Sequence, residues 1–386
     1  MPASARAEPS KLIPAPATLG LLGGGQLGRF FVQAAHELGY SVWVLDPDPA
    51  SPAGRIADRH LAAAYDDRVA LDTLATGCAA ITTEFENVPA PSLEYLARSV
   101  RVRPSAAAVA VCQDRIAEKT FLRDQHLPHG TFAVIRNEQD LATAPPNVFP
   151  GVLKVARFGY DGKGQARVAT RDDALTAWRQ LGGEACVLEA LLPLDCEVSV
   201  VLAREAAGAA ACCRVAETSE RQGILDVSLV PARISATLAE SARQCALRIA
   251  AALDYVGTLG VEFFVSRGVL YVNEMAPRPH NSGHYTLDAC ATSQYEQQVR
   301  ALCGLPLGNP AQTSPAVMVN LLGDLWSAGE PKWSTLLSRP GVKLHLYGKH
   351  EARPGRKMGH FTVLGQDLAQ VVESALAART AVGIRD

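Results

Sequence analysis

The amino-acid sequence predicts an N-terminal α/β domain followed by an α+β region. Near the N-terminus, an apolar segment enters a glycine-rich turn and is followed by a helical pattern and a second apolar segment, which indicates a βαβ unit of a parallel sheet. After residue 150, strand-like segments follow one another at short intervals with one helix among them, as is typical of an α+β domain. The length of 386 residues favours two or three domains rather than one.

The first domain is predicted from alternating strand and helix patterns. Apolar residues recur at helical spacing after the glycine turn, and Gly39 ends that helix. The predicted elements are a strand at Thr18–Leu22, a helix over 29–38, and strands over 41–46, 79–83 and 100–102.

The second region is predicted to hold a helix over 114–122 and then a set of strands. Its strands are expected over 152–155, 166–168, 187–189 and 197–201, with a helix over 172–181. A hairpin follows, with strands over 261–264 and 269–273.

The hairpin turn decides whether two carboxylates lie on one face of the sheet. A three-residue loop, Ser266-Arg267-Gly268 with Gly268 left-handed, would place Glu262 and Glu274 on the same face. A two-residue turn would place them on opposite faces. A shared metal ion requires the former.

The predicted domain boundaries follow from these patterns and from composition. Residues 1–17 are rich in Ala, Pro and Ser and lack the apolar core of a signal peptide, so we expect a disordered extension. The first domain then spans 18–112, the central domain 113–305 and the C-terminal domain 316–386, after a Pro/Gly/Asn-rich linker.

Composition excludes several classes of function. The net charge of −2 argues against binding to nucleic acid or to an anionic membrane. No apolar run reaches the ~18 residues of a membrane span. The nine cysteines form no CxxC pair and suit reduced thiols in a cytoplasmic protein better than a disulfide framework or a zinc site.

The glycine turn carries a GxGxxG motif over residues 23–28, between a strand and a helix. Asp46 follows near the position of a ribose-binding carboxylate, as in dinucleotide-binding folds. The alternative is a turn whose helix N-terminus binds another anion or none. No obvious hydride-transfer residues accompany the motif.

A second set of residues predicts a site for a metal-bound triphosphate. Lys154 ends a strand and can contact a phosphate, and a glycine loop follows whose backbone N–H groups can approach phosphate oxygens. The loop consists of Gly159, Tyr160, Asp161, Gly162, Lys163, Gly164 and Gln165. Glu262 and Glu274 supply the oxygen ligands that Mg²⁺ prefers.

Three further polar segments are candidate binding residues. A strand end with a carboxylate nearby could bind a nucleoside, and comprises Glu189, Ala190, Leu191, Leu192 and Glu197. A polar run after the hairpin could bind the acceptor substrate, and comprises Arg278, His280, Asn281, Ser282 and His284. A basic loop could bind a phosphate monoester, and contains Lys349, Arg353, Arg356 and Lys357. Each could also be an ordinary strand end or a solvated surface loop.

Taken together, these motifs resemble the ATP-grasp ligases, and within them the N5-carboxyaminoimidazole ribonucleotide synthetases. The resemblance runs from Leu19 to the C-terminal region. It depends on the motifs at residues 23–29, 83–88, 159–165, 273–284 and 347–360. It implies an ATP-grasp architecture, with an N-terminal parallel-sheet βαβ domain, a central two-lobed ATP-grasp region and a small C-terminal domain.

The resemblance also implies a reaction and its substrates. ATP would phosphorylate bicarbonate to carboxyphosphate, and the 5-amino group of aminoimidazole ribonucleotide would capture the carboxyl group. ATP and Mg²⁺ would be required. A cytoplasmic homodimer and a separate mutase that takes the product are the further expectations.

Residue roles follow from the resemblance by position. ATP would be bound by Arg115, Lys154, the loop 159–165, the segment 189–192, Glu197, Asn273 and Glu274, and Mg²⁺ by Glu262 and Glu274. The ribonucleotide would contact Gln26, Glu84, Glu86, Asn87, Arg278, His280, Asn281, Ser282, His284, Lys349 and Arg356. Catalysis would involve Asp161, Arg278, Lys349 and Arg356.

One segment departs from the family pattern. Where the family usually carries Asn and His, this chain has Thr218 and Glu220, which puts a nucleotide contact there in doubt. Three alternatives remain: an ATP-grasp ligase with another acceptor, an NAD-dependent oxidoreductase built on the first glycine turn, and a nucleotide-sensing module without turnover.

Overall fold

The computed structural model describes residues 11–157, 159 and 164–384. Residues 11–17 differ from the predicted disordered extension, because they are bound to the folded chain. The Ile13 N–H donates to Cys303 O at 2.9 Å, and the Tyr40 hydroxyl donates to Ile13 O at 2.7 Å. Within the described residues, no helix is long and apolar enough to cross a membrane.

The N-terminal region is a parallel five-stranded sheet with helices around it, as predicted. Its strand order is β3-β2-β1-β4-β5, formed by β1 Thr18–Leu22, β2 Ser41–Leu45, β3 Arg59–Leu61, β4 Ala80–Thr83 and β5 Arg101–Val102. The helices are α1 Gln26–Glu37, α2 Arg68–Gly77, α3 Ala90–Leu96 and α4 Ala106–Gln113. Helix α1 begins three residues before its predicted start at 29, directly after the glycine turn.

Helix α5, Arg115–Asp124, begins the central region. The Asp114 carboxylate caps it by accepting from Ile116 N at 2.9 Å and Ala117 N at 3.2 Å, which satisfies backbone donors that have no partner inside the helix. The cap fixes where α5 starts, and therefore which of its side chains face the neighbouring sheets.

A small antiparallel sheet follows α5, with strand order β6-β9-β7-β8. The strands are β6 Phe132–Ile135, β7 Gly151–Val155, β8 Gln165–Val168 and β9 Cys186–Ala190, and the helices packed against them are α6 Glu138–Ala142 and α7 Arg171–Gln180. Leu153, Val168, Ala174 and Leu188 form the centre of their shared core.

The large sheet has nine strands, and the chain's C-terminal strands belong to it. It runs β15-β14-β10-β12-β13-β16-β18-β17, and β11 pairs with β10. Its strands are β10 Cys196–Arg204, β11 Ala210–Cys212, β12 Ala216–Arg221, β13 Ile224–Val230, β14 Gly257–Ser266, β15 Val269–Ala276, β16 Ala316–Leu322, β17 Val342–Leu346 and β18 Lys357–Leu364. The remaining helices are α8 Ala236–Ala252, α9 Thr286–Ala289, α10 Gln294–Cys303, α11 Trp333–Leu337 and α12 Leu368–Val382.

The β14–β15 hairpin corrects one sequence-based expectation. Its turn has two residues, because Ser266 pairs with Val269, and Arg267 and Gly268 have positive φ angles of 51° and 73°. The three-residue loop, which a shared metal ion was expected to require, therefore does not form. A bulge compensates: Phe263 pairs with Val272 but Glu262 pairs with Glu274, so Asn273 is the extra residue. The two carboxylates lie opposite each other on one face because of this bulge.

Helix α10 joins the N-terminal sheet to the large sheet. The Gln298 amide donates to Thr82 Oγ1 in β4 at 2.7 Å and accepts from the Thr258 N–H in β14. Tyr295 and Val299 of the same helix share a buried core with Phe30 of α1. These contacts fix the carboxyl ends of the N-terminal strands beside the hairpin that carries the paired glutamates.

Candidate active site

A cleft of about 1130 Å³ lies where the three sheets meet. It brings together most of the residues that the sequence predicted for nucleotide, metal and acceptor binding. Those lining it are Gln26, Glu84, Glu86, Asn87, Arg115, Lys154, Gly159, Gln165, Glu189, Ala190, Leu191, Leu192, Glu197, Glu262, Asn273, Glu274, Arg278, His280, Asn281, Lys349 and Arg356. Tyr160, Asp161, Gly162 and Lys163 lie outside the described residues. Gly164 lies beside the last residue of β7, and its carbonyl accepts from Val155 N at 2.9 Å.

The paired carboxylates are held by neighbouring cations and by an imidazole. Arg115 Nη2 lies 3.1 Å from Glu274 Oε2, and His280 Nε2 lies 3.3 Å from Glu262 Oε1. Burial acts to raise the pKa of Glu274, but the charges of Arg115, His280 and Lys154 lower it overall. For Glu262, burial and then the charge of Glu274 raise the pKa well above its ordinary value.

This charge distribution fits a divalent cation. Two opposed carboxylates supply hard oxygen ligands, and the negative charge of Glu274 adds to burial in raising the pKa of Glu262. Burial, and next the charge of Arg278, lowers the pKa of His280 to about 3. His280 is therefore neutral near pH 7 and adds no positive charge to the carboxylate pair.

Glu189 is held between two lysines. Lys119 Nζ lies 2.8 Å from Glu189 Oε2, and Lys154 Nζ lies 3.0 Å from Glu189 Oε1. Although burial acts to raise it, these two ammonium groups lower the pKa of Glu189 to about 2. Glu189 therefore stays ionised and positions Lys154 at the cleft.

Lys119 is a site residue that the motifs did not indicate. It is 1% exposed, and its ammonium group also donates to Asn273 O at 2.9 Å. From the same helix, Glu118 Oε1 accepts from Met275 N at 2.6 Å. Helix α5 thus holds the bulged strand on both sides of Glu274. The four-residue spacing of Arg115 and Lys119 on a predicted helix was the available signal, because such residues share a helix face.

The nucleotide end of the cleft contains two further carboxylates. Burial, and then the charge of Glu220, raises the pKa of Glu197 to about 7, against the opposing effect of Lys154. Thr218 pairs directly with Glu197 across β12 and β10, and Glu220 lines the cleft. The departure from the family pattern at 218 and 220 therefore lies at the cleft wall.

The backbone amides of the glycine turn donate hydrogen bonds to two carboxylates of the protein itself. Asp46 Oδ2 accepts from Gly24 N at 2.6 Å and from the Tyr65 hydroxyl at 2.7 Å. Glu84 Oε1 accepts from Gly25 N at 2.7 Å, and its Oε2 from Gly28 N at 3.1 Å. The amides that would bind a dinucleotide pyrophosphate are thus already bonded to buried anions, which argues against the NAD alternative. Both oxygens of Glu84 accept hydrogen bonds from the turn, and Glu84 also lines the cleft, so its contact with substrate stays a prediction.

The acceptor end of the cleft combines paired charges with an unsatisfied amide. Arg278 forms an ion pair with Glu86, and Lys349 Nζ donates to Gln26 Oε1 at 2.8 Å. Asn281 is 6% exposed, and among the described residues neither its amide nitrogen nor its oxygen has a hydrogen-bond partner. A buried amide of this kind can hydrogen-bond a ligand.

Two predicted substrate contacts lie behind the cleft wall. Ser282 is 1% exposed, and its hydroxyl bonds Ser199 Oγ and His280 Nδ1, both at 2.8 Å. His284 is fully buried, bonds the Tyr295 hydroxyl through Nδ1 at 2.6 Å and stacks on His360. Neither residue is among the described residues that line the cleft, and His284 Nε2 has no hydrogen-bond partner in the described part of the chain. Substrate contact by Ser282 and His284 therefore stays a prediction.

Three domain families match successive parts of the chain. The ribonucleotide synthetase preATP-grasp domain matches residues 16–113, and the ATP-grasp domain matches 120–295. The phosphoribosylaminoimidazole carboxylase C-terminal domain matches 316–374. The order of these three matches is the order of the N-terminal sheet, the central region and the C-terminal strands.

Curated relatives and solved structures cover nearly the full length. The chain is 45% identical to the N5-carboxyaminoimidazole ribonucleotide synthase of Brucella melitensis, over 89% of this chain and 95% of that one. It is 40% identical to the synthase of Bacillus subtilis, over 91% and 92%. The Staphylococcus aureus synthetase complexed with ADP superposes with a TM-score of 0.89 at 36% identity, covering 95% of this chain and 98% of that one. The Aspergillus clavatus synthase in complex with ADP and 5-aminoimidazole ribonucleotide gives 0.87 at 31% identity, with the same coverages of 95% and 98%.

Proposed function

The chain belongs to the N5-carboxyaminoimidazole ribonucleotide synthetase family of ATP-grasp enzymes, and we propose that it carboxylates the 5-amino group of 5-aminoimidazole ribonucleotide. ATP and bicarbonate are the co-substrates, and the product is N5-carboxyaminoimidazole ribonucleotide of purine biosynthesis. The enzyme is an ATP-dependent carbon–nitrogen ligase. The observation that carries the proposal is one cleft that joins a metal-type carboxylate pair to a cationic acceptor end.

ATP occupies the end of the cleft between the small and large sheets. Lys154, fixed by Glu189 at 3.0 Å, contacts phosphate oxygens as a point charge. The segment 189–192 offers backbone groups to adenine, and Glu197 accepts from the ribose hydroxyls when it is ionised. Arg115 and Asn273 flank the phosphates, and Gly159 and Gln165, at the two ends of the predicted phosphate loop, line the same cleft.

Glu262 and Glu274 are the residues that would hold Mg²⁺. The bound ion would neutralise phosphate charge and orient the triphosphate. The bulge at Asn273 keeps both carboxylates on one face, and Arg115 orients Glu274 through the 3.1 Å contact.

The ribonucleotide occupies the end formed by the N-terminal sheet and the C-terminal loop. Gln26, Glu86 and Asn87 reach it from the first domain, and Lys349 and Arg356 reach its phosphate from the C-terminal strands. Arg278 lies between this end and the metal end. Its present ion pair with Glu86 keeps the guanidinium oriented toward the cleft.

The reaction proceeds in two steps. A bicarbonate oxygen attacks the γ-phosphorus of ATP, the bond to the β-phosphate oxygen breaks, and ADP and carboxyphosphate form. The 5-amino nitrogen then bonds the carboxyl carbon, the carbon–oxygen bond to phosphate breaks, and phosphate leaves while the amine loses a proton. Arg278, Asn281 and the neutral His280 supply hydrogen bonds to the carboxyl group, and the closed cleft keeps water from the acyl phosphate.

We also propose a mutase partner, a homodimeric assembly and a cytoplasmic location. The first is based on the chemistry of the product and the other two on the family. The product is an N-carboxylated amine, which loses carbon dioxide readily, so a separate mutase is expected to consume it. A homodimer and a cytoplasmic location complete the proposal.

The test is ADP release from Mg²⁺-ATP and bicarbonate, with and without 5-aminoimidazole ribonucleotide. We expect strong stimulation by the ribonucleotide, with stoichiometric loss of its free amine. An equal rate of ADP release with and without the ribonucleotide would still be consistent with ATP-grasp chemistry. It would indicate that another amine is the acceptor.

A further inference from the structure

The imidazole of His280 lies between the paired carboxylates and two buried serines. Its Nε2 lies 3.3 Å from Glu262 Oε1, and its Nδ1 lies 2.8 Å from the Ser282 hydroxyl. Ser199 Oγ lies 2.8 Å from the same hydroxyl. Glu262 lines the cleft, whereas neither serine is among the described residues that line it. The two ring nitrogens therefore serve different sides, Nε2 the cleft and Nδ1 the interior.

The position of this imidazole is fixed by its neighbours. The His280 N–H donates to Gln294 Oε1, and Gln294 Nε2 donates to His280 O, both at 2.8 Å. Gly260 of β14 lies directly against the side chain. A Cβ atom at Gly260 would approach His280 Cβ to 2.7 Å and Cγ to 2.8 Å, well inside the optimal separation of about 3.5 to 4.0 Å between carbon atoms. The space for the imidazole therefore exists because residue 260 is a glycine.

A short 3-10 turn, Asn281–Gly283, begins directly after His280, and the imidazole caps it. The Ser282 backbone N–H donates to His280 Nδ1 at 3.4 Å. Because a backbone N–H can only donate, Nδ1 is the nitrogen that carries the lone pair. A neutral imidazole has one N–H proton, so that proton lies on Nε2.

The two serine hydroxyls reinforce the same arrangement. Since Nδ1 is an acceptor, the Ser282 hydroxyl must donate to it, and Ser282 Oγ then accepts from the Ser199 hydroxyl. Both serines are 1% exposed, so bulk water has little access to these hydrogen bonds. The hydrogen bonds run in one direction, from Ser199 through Ser282 to Nδ1, and leave the Nε2 proton facing Glu262.

We propose that Ser282 is a positioning residue that keeps His280 protonated at Nε2, so that His280 acts only as a hydrogen-bond donor at the cleft. This role rests on the proposed carboxylation and deepens it. The Nε2–H donates to Glu262 in the structure, and it is the donor available to an oxygen of bicarbonate. Because His280 offers no lone pair to the cleft, another group must accept the proton that the amine loses.

The protonated nitrogen of His280 can be identified in the full chain by long-range ¹H–¹⁵N correlation NMR with ¹⁵N-labelled histidine. The His280 signals are those that disappear in His280→Asn. We expect the chemical shift of an unprotonated nitrogen at Nδ1 and of a protonated nitrogen at Nε2. The reverse pattern, or two protonated nitrogens, would overturn the proposal. The measurement uses no substrate, so its result is independent of whether the ribonucleotide stimulates ADP release.

Variants of Ser282 test whether its hydroxyl matters for the reaction. Ser282→Ala leaves only the longer bond from the backbone N–H, so a population of the Nδ1-protonated form should appear by NMR. The KM for bicarbonate should rise about fivefold, the effect of one hydrogen bond, while the KM for ATP stays unchanged. Ser282→Thr keeps the hydroxyl and should restore both properties.

Ser266→Ala is the matched control. It removes another buried hydroxyl, which donates to Pro193 O at 2.7 Å, and it should behave as the wild type. An unchanged KM for bicarbonate in Ser282→Ala, with His280 still protonated only at Nε2, would contradict the role of Ser282.

Discussion

At the scale of single residues, Lys119 and Glu189 illustrate how a buried ion pair prepares a binding group. Lys119 is 1% exposed, so its charge requires the carboxylate 2.8 Å away. The second oxygen of the same carboxylate orients Lys154. The phosphate-binding lysine of β7 is thereby positioned by a carboxylate of β9, which is in turn paired with a lysine of α5.

We expect Lys119→Met to destabilise the fold by about 3 kcal/mol near neutral pH, because it leaves buried Glu189 with one partner. The pKa of Glu189, about 2 in the fold, lies below its ordinary 4.5. Its stabilising contribution is therefore present above pH 4.5 and is lost as the pH falls toward 2. Urea unfolding of wild type and variant, at pH 7 and in mild acid, measures this difference.

The difference between the two proteins should shrink as the pH falls through this range. Lys332→Met, at an exposed lysine, is the control and should change stability little. A Lys119→Met protein as stable as the wild type at pH 7 would contradict the role given to this pair.

Glu274 is predicted to be essential for metal-dependent turnover. Glu274→Gln keeps the shape of the side chain and removes its charge, so ADP release should fall by more than about a hundredfold, since metal-assisted charge stabilisation is worth several kcal/mol. The thermal unfolding midpoint should remain close to that of the wild type. Glu240→Gln, at a surface pair with Arg243, is the matched control, and near-normal turnover of Glu274→Gln would refute the metal assignment.

The pH dependence of ATP binding should report on Glu197 and Glu220. The pKa of Glu197 is raised to about 7, by burial and then by Glu220. Its ionised form accepts from ribose, so the KM for ATP should fall as the pH rises through 7. In Glu220→Gln the neighbouring negative charge is gone, so the midpoint should move to lower pH. An unchanged midpoint in KM–pH profiles, relative to a Glu373→Gln surface control, would exclude this coupling.

At the scale of secondary-structure elements, the bulge in β15 determines the geometry of the metal site. The two-residue turn alone would place Glu262 and Glu274 on opposite faces, and the extra residue Asn273 reverses that relation. Helix α5 holds the bulge through Lys119 and Glu118, which bond Asn273 O and Met275 N.

Insertion of one alanine after Asn273 is therefore expected to abolish metal-dependent ADP release, because it moves Glu274 one position along β15 and onto the other face. Asn273→Ala retains the extra residue and loses only the amide, so it should keep measurable turnover. Steady-state assays of both variants, with circular dichroism to verify folding, make the comparison. Equal activities would show that the bulge does not set the position of Glu274.

The bulge also shows what the sequence could and could not predict. Strands and helices of the N-terminal sheet followed from apolar periodicity, and the ATP-grasp architecture followed from motifs. The hairpin's turn did not, because Ser266-Arg267-Gly268 fits both a two-residue and a three-residue loop. Long-range contacts could not be predicted either. Local sequence does not indicate that Glu84 bonds Gly25 and Gly28, or that Lys119 contacts Glu189.

At the scale of the whole molecule, the cleft exists because three parts of the chain meet. The N-terminal sheet is fixed to the large sheet through Gln298 of α10. The C-terminal strands extend the large sheet through β16, and Lys349 returns to Gln26 at 2.8 Å. The nucleotide end and the acceptor end therefore belong to one cleft, which suits transfer of a short-lived acyl phosphate between them.

Carboxyphosphate is expected to form at one end of this cleft and to be captured by the amine at the other. The most direct measurement supplies ¹⁸O-labelled bicarbonate with Mg²⁺-ATP and 5-aminoimidazole ribonucleotide, and analyses the released phosphate by mass spectrometry. Attack of bicarbonate on the γ-phosphorus predicts that each phosphate carries one labelled oxygen for each ribonucleotide carboxylated. Carboxylated ribonucleotide accompanied by unlabelled phosphate would show that bicarbonate does not attack the γ-phosphorus.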